Sequence, residues 1–251
     1  MKLSLIGAGP GDAELITLKA IRRLNEADVI LYDALANQAL LGHAEPKAEI
    51  IYVGKRKGQH SVSQEEINRI IVTNVLSGKH VVRLKGGDPV IFGRGFEEMD
   101  MVKKLGIYVE IIPGISSSVG VPTLAGVPVT KRGISESYWV LTGHTKSGKL
   151  PKDMALAAQS NATVIVLMGM SKLSEICDIF SNAGKDKLPV AIIQDGTTER
   201  QKIAVAQVNS ICDEVASKGL KNPAVIVFGE TVKCSPDYVM KYLQKEVLAY
   251  A

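Results

Sequence analysis

The chain has 251 residues, 46% hydrophobic and 22% charged, enough to bury a real core in one large domain or two smaller ones. A formal charge of +4 and an aromatic content of 5% make no case for nucleic acid as a partner, whereas a small cationic excess suits an acidic small molecule. The amino terminus reaches glycine too early for a signal peptide and no apolar run approaches a membrane span, so the expectation is a cytoplasmic protein without membrane contact.

Lys2 to Ile6 is a short apolar strand running into GAGPGD at residues 7 to 12. A helix is expected from about Glu14 to Ala27, with Leu15, Leu18, Ile21 and Leu24 at helical spacing. Asp28 to Asp33 reads as a buried strand ending in an acid, and Ile50 to Val53 as a strand ending in GKRKG at 54 to 58. Ser63 and Glu66 form a capping box that opens a helix to about Leu76. A strand at His80 to Leu84, a helix to about Leu105 and a strand at Tyr108 to Ile112 follow, and this alternation predicts a parallel sheet covered by helices. The segment 113–128, PGISSSVGVPTLAGVP, is rich in small residues and is read as a linker and ligand-facing wall, with domains at 1–114 and 115–251. Further strands are expected at Tyr138 to Thr142, Thr163 to Met168, Val190 to Gln194, Ile203 to Ala206 and Ala224 to Phe228. Helices are expected near Pro151 to Gln159, Lys172 to Ala183, Val208 to Lys218 and Pro236 to Leu248, the last capped by Ser235-Pro236. Cys177, Cys212 and Cys234 show no C-x-x-C spacing and read as buried reduced thiols.

The stretch from Val82 to Gly95, VRLKGGDPVIFGRG, concentrates the signals of a site. Gly86-Gly87 and Gly93-Arg94-Gly95 expose bare backbone at the end of a strand, and the cations Lys85 and Arg94 point to a ligand rather than a plain turn. Two other matches are set aside. GAGPGD with Asp33 resembles a dinucleotide fingerprint, but Asp12 stands where the third glycine belongs and would repel a pyrophosphate. Gly143 to Lys149 resembles a phosphate loop, but Leu150 replaces the hydroxyl that would hold magnesium.

GAGPGD at 7 to 12, LKGGDPVIFGRG at 84 to 95, PGISSS at 113 to 118, AGVPVTKRG at 125 to 133 and TGH at 142 to 144 are similar, in order and spacing, to the tetrapyrrole methyltransferases. The resemblance covers essentially the whole chain. It implies two α/β domains that are not of the Rossmann type, with S-adenosylmethionine in the cleft between them, no metal, and a homodimer. Donor contacts are implied at Pro10, Gly86, Gly87, Asp88, Ile91, Ser116, Ser117, Met168, Gly196 and Ala224, and the proton acceptor and donor at Asp33 and Lys55. Read without the family, Asp33 is a helix cap and Lys55 a solvated charge.

The implied reaction is double C-methylation of uroporphyrinogen III to precorrin-2, feeding sirohaem or cobalamin. A reduced porphyrinogen offers electron-rich pyrrole carbons as nucleophiles, so the enzyme supplies position, dryness and a base for the departing proton. Its carboxylates call for cations, and Lys55, Arg56, Lys57, Arg94, Lys131 and Arg132 are the candidates in or beside the motif loops, Arg94 and Arg132 foremost because a guanidinium suits bidentate carboxylate binding. Phe96 and Lys131 depart from the family pattern and bear on the choice of acceptor. Three other readings stay open: methylation of a later corrin intermediate, a nicotinamide-dependent oxidoreductase, and a non-catalytic donor-binding protein.

Overall fold

Residues 1–54 and 62–249 are described by the computed structural model of the chain, with side chains as far as residue 242. They fall into two units, Met1–Ser117 and Ser118–Ala251. In the first, apolar strands alternate with helices: β1 (Lys2–Gly7), α1 (Leu18–Asn25), β2 (Val29–Tyr32), β3 (Glu49–Tyr52), α2 (Gln64–Leu76), β4 (His80–Lys85), α3 (Gly95–Lys103) and β5 (Val109–Ile112). The strands pair in parallel in the order β3-β2-β4-β1-β5. Parallel neighbours need crossovers, and the crossovers cover both faces, which is why β4 is buried along its whole length. Leu3, Leu5, Leu31 and Val81 meet Ile71 and Val75 of α2 and Val102 of α3 on one face. Ile6, Ile30, Val82 and Leu84 meet Ala20 and Leu24 of α1 on the other. Each fully buried Leu or Ile of this kind contributes roughly 1.5–3 kcal/mol.

Local chemistry decides where the helices begin. Ser63 Oγ accepts the Glu66 N–H at 3.2 Å and opens α2, as its capping box predicts. The helix expected from Glu14 to Ala27 is broken instead. Asp12 accepts the Glu14 N–H at 2.9 Å over a short 3-10 turn, Ala13–Leu15, and Thr17 accepts the Ala20 N–H at 3.2 Å to start α1 afresh.

At the start of β4, His80 is buried between Ser4 of β1 and the end of α1. Its Nδ1 donates to the Glu26 carbonyl at 3.1 Å and its Nε2 accepts from the Ser4 hydroxyl at 2.9 Å, an assignment that suits the neutral ring. Burial pushes the imidazole below its usual value, with the Lys2 charge adding to this, while Glu26 and Asp28 pull the other way. The unfolded chain therefore binds the extra proton first, so this contribution is complete above about pH 6.5 and is lost as pH falls toward the folded value. Urea midpoints are expected to drop between pH 7.5 and 5.5, and His80→Gln should flatten that slope. Glu110, held down to about 2 by Arg23, with Lys19 beside it, loses its contribution only below its unfolded value of 4.5, which separates the two windows.

The second unit contains α4 (Ser117–Leu124, from Ser118 onward), β6 (Tyr138–Thr142), α5 (Met154–Gln159), β7 (Thr163–Leu167), α6 (Leu173–Asn182), β8 (Pro189–Gln194), β9 (Lys202–Gln207), α7 (Ile211–Lys218), β10 (Ala224–Phe228) and α8 (Pro236–Ala249). The sheet order is β6-β7-β10-β8-β9, and only β6 and β7 run parallel. No helix separates β8 from β9, so the chain turns back through 195–201 and the two strands pair antiparallel. Phe180 of α6 stacks on Phe228 of β10 at 4.2 Å inside the core. The stretch expected as a linker forms α4 in part: Val121 and Ala125 pack with Ile165, Ile193 and Val227, and Gly120 and Pro122 are buried with them despite their poor helix propensity. Of the thiols expected to be buried, only Cys177 is, and burial pushes it up to about 12; Cys212 and Cys234 are half-buried because α7 and the turn before α8 lie at the surface. No described helix is long and apolar enough to cross a membrane.

Candidate functional site

In the first unit the chain leaves β1 toward β2 and leaves β4 toward β5, so the winding reverses where β1 and β4 lie side by side. Outside the carboxyl ends of such strands an open α/β sheet forms its ligand crevice. Here the loops are drawn together by glycine. A Cβ on Gly7 would lie 2.4 Å from the Gly114 nitrogen, and one on Gly114 would lie 2.4 Å from the Gly87 oxygen. Gly9 and Gly87 exchange both main-chain hydrogen bonds, at 3.2 and 2.7 Å. A Cβ on Gly86 would meet the Leu35 side chain at 2.5 Å, which brings the loop after β2 against the loop after β4. Asp88 clamps the assembly: one carboxylate oxygen accepts the Val90 N–H at 2.9 Å and the other the Gly114 N–H at 3.2 Å.

Around this knot lie Pro10, Ser116 and Ser117, all half-buried, and Ile91 and Phe92, 43% and 44% exposed. Phe92 and Arg94 hold positive φ of 55° and 59°, a conformation that costs a non-glycine residue free energy and recurs at binding sites.

Asp33 follows β2 and stands beside the end of β4. Its Oδ1 accepts the Leu35 N–H at 3.1 Å, capping a turn rather than the helix that the residues alone suggest. Its Oδ2 accepts from Arg83 Nη2 at 2.9 Å. Arg83 is 4% exposed, donates through Nη1 to the Leu84 carbonyl at 2.7 Å, and lies 3.5 Å from Glu98 through Nε. Glu98 is fully buried and also accepts from Lys85 at 3.0 Å and from Gln64 at 3.1 Å. Burial pushes the Lys85 ammonium below its usual value, with the Arg83 charge adding to this and Glu98 opposing it.

This network corrects the reading of Lys85 as a cation awaiting a ligand, while Arg94 keeps an exposed guanidinium. Lys85 is buried against Glu98, and Arg94 is held by the neighbouring Glu97 at 3.0 and 2.6 Å. Both acids stand at the start of α3, where the helix dipole favours negative charge. Arg83, Glu98 and Gln64 are the site residues that sequence reasoning passed over. An arginine and a lysine at alternate positions of an otherwise apolar, covered strand, HVVRLK, were the available signal, since each demands a buried partner. Lys55, Arg56 and Lys57 lie outside the described residues.

In the second unit Met168 follows β7, 48% exposed and at a positive φ of 57°. Gly196 lies between Asp195 and Thr197, at positive φ of 47° and 67°, and a Cβ there would meet the Val121 side chain at 2.4 Å. Ala224 opens β10 and is half-buried. Lys131 reaches Cys234 Sγ at 3.3 Å, and Arg132 beside it is exposed. Asp195-Gly196 is a turn pair and aspartate tolerates positive φ, whereas nothing in the sequence marks the β-branched Thr197 for it.

The side chains present fit S-adenosylmethionine in kind. Side-chain-free backbone at Gly86-Gly87 can lie against a nucleoside, half-exposed Ser116 offers a hydroxyl, and half-exposed Ile91 and Met168 offer apolar and thioether surface.

A family model described as tetrapyrrole (corrin/porphyrin) methylases matches residues 2–212. A uroporphyrinogen-III C-methyltransferase of Methanocaldococcus jannaschii is 46% identical over 92% of this chain and 96% of its own length. A siroheme synthase of Methylobacillus flagellatus is 40% identical over 91% of this chain, which spans only 49% of that longer protein. Among solved structures, the uroporphyrin-III C-methyl transferase of Thermus thermophilus complexed with S-adenyl homocysteine is 34% identical, with a TM-score of 0.80 over 93% of this chain and 99% of that one. A cobalt precorrin-4 methyltransferase is 29% identical, with a TM-score of 0.82 over 92% of this chain and 95% of that one.

Proposed function

The chain belongs to the tetrapyrrole (corrin/porphyrin) methylases, and from that premise we propose that it transfers two methyl groups from S-adenosylmethionine to uroporphyrinogen III, forming precorrin-2 for sirohaem or cobalamin. The observation that carries this reading is the 46% identity to a uroporphyrinogen-III C-methyltransferase over 96% of that relative's length. The donor, when bound, supplies an electrophilic methyl on a sulfonium sulfur. The residues we assign to contact with it are Pro10, Gly86, Gly87, Asp88, Ile91, Ser116, Ser117, Met168, Gly196 and Ala224. The Asp88 carboxylate serves by fixing the loops, since both of its oxygens accept main-chain N–H groups.

A pyrrole carbon is already nucleophilic, so the chain's task is to place it, exclude water and remove the ring proton. Asp33 is the acceptor, its carboxylate oriented by the Leu35 N–H and by Arg83, and Lys55 is the donor. Arg94, Lys131 and Arg132 receive the substrate carboxylates, Arg94 by sharing its guanidinium with Glu97. The enzyme works as a cytoplasmic homodimer without a metal.

Anaerobic incubation of the purified chain with S-adenosylmethionine and uroporphyrinogen III is expected to give a product heavier by two methyl groups. No methyl gain there, with gain on a later cobalt-corrin intermediate, would favour the alternative suggested by the likeness to the precorrin-4 enzyme.

A further inference from the structure

The charged cluster behind Asp33 is a costly thing to build for stability alone. Arg83, Lys85 and Glu98 are 4%, 5% and 0% exposed, and ion pairs this deep do not repay their desolvation better than apolar residues of the same size would. It is also imperfect: among the described residues, Arg83 Nε and Glu98 Oε2 have no hydrogen-bond partner. Buried polar atoms without partners add to the free-energy cost of the cluster.

The contacts run in one direction. Lys85 and Gln64 converge on Glu98 Oε1 from β4 and from the start of α2, and they fix that carboxylate in the first turn of α3. Glu98 faces the Nε edge of Arg83, whose other edge holds the Leu84 carbonyl and Asp33. The guanidinium is a rigid plane, so a change at its Nε edge turns the Nη2 atom that meets Asp33. Asp33, with 24% of its side chain exposed, is the one acid of this chain of contacts that reaches the surface.

We infer that Glu98 is a positioning residue for proton removal, holding Arg83 in the orientation that aims the Asp33 carboxylate. The inference rests on the methyl-transfer reading and on Asp33 as acceptor. Glu98 touches neither substrate nor donor in this role, and Arg83 carries its effect.

A double-mutant cycle tests it, with kcat, KM for each substrate, donor affinity by calorimetry and thermal melting measured for wild type, Asp33→Asn, Glu98→Gln and the double variant. Wild-type turnover in the same assay reports on the underlying reading by itself, so effects confined to the variants report on Glu98. The expected result is a fall in kcat of roughly 10- to 100-fold for Glu98→Gln, as misplacement of a reacting group produces, with KM and donor affinity within about twofold. In the double variant Glu98→Gln should then add almost nothing to the loss caused by Asp33→Asn. Glu98→Asp, which keeps the charge, should recover part of kcat. Additive losses in the cycle would overturn the inference, as would an unchanged kcat in Glu98→Gln. Wild-type kcat in Asp33→Asn would overturn it too, while leaving methyl transfer itself standing. Should Glu98→Gln fail to fold, Arg83→Lys, which keeps the charge and loses the fork, is expected to give the same non-additivity with Asp33→Asn.

Discussion

Asp33→Asn is expected to lower kcat by roughly 10²- to 10⁴-fold, the range that positioned acid–base groups contribute, while the protein still binds its donor. Asparagine keeps the shape and can still accept the Leu35 N–H, which is 3.1 Å from Oδ1 in the native chain. It loses the negative charge that faces Arg83 and the ability to take up a proton. Because 24% of the Asp33 side chain is exposed, solvent screens much of the broken pair, and the stability cost should stay near 1 kcal/mol rather than the larger figure for a fully buried pair. Single-turnover methylation with calorimetric donor binding separates chemistry from folding. An unchanged rate would remove Asp33 from the reaction and leave it as the cap of the turn after β2.

Gly114→Ala is expected to destabilise the first unit by about 3 kcal/mol or more, at the upper end for overpacking, and to remove donor binding with it. The added methyl would sit 2.4 Å from the Gly87 oxygen and 2.7 Å from Gly7, and all of these are backbone atoms. A flexible side chain could swing away, but here β1, β4 and β5 would have to spread at the edge where the sheet reverses its winding. For a chain of this size that corresponds to a fall in melting temperature of roughly 6–12 °C. Gly106→Ala, at a glycine with nothing within 4 Å of the added carbon, offers a comparison in which only the positive φ of 72° is strained. If Gly114→Ala melted with the wild type and still bound the donor, the close approach of the three loops would be mistaken.

The arrangement of the two predictions shows how differently a site can be written into a chain. Glycine clusters at 7–11, 86–87 and 93–95 were legible because bare backbone is costly and its placement after apolar strands has few uses. The capping pairs at Ser63 and Ser235 were legible because they act within one turn, and the Tyr238 N–H does donate to Ser235 Oγ at 3.1 Å. Arg83 and Glu98 were not, since each was read within its own element, as a strand residue and as a helix-start acid. Their meeting depends on α3 folding back over β4.

What the sequence determined by itself was therefore the local and the periodic: strands and helices of the first unit, the winding that makes its sheet parallel, the glycines, and a set of motifs spaced as in the tetrapyrrole methylases. The tertiary structure alone decided the antiparallel return of β9 onto β8, the folding of α4 through Pro122, and the capture of Arg83 and Lys85 by Glu98. The reason is physical. Periodicity and capping are settled by neighbours in the chain, whereas the fate of a charge is settled by which groups of opposite sign share its low-dielectric surroundings once distant elements have packed together.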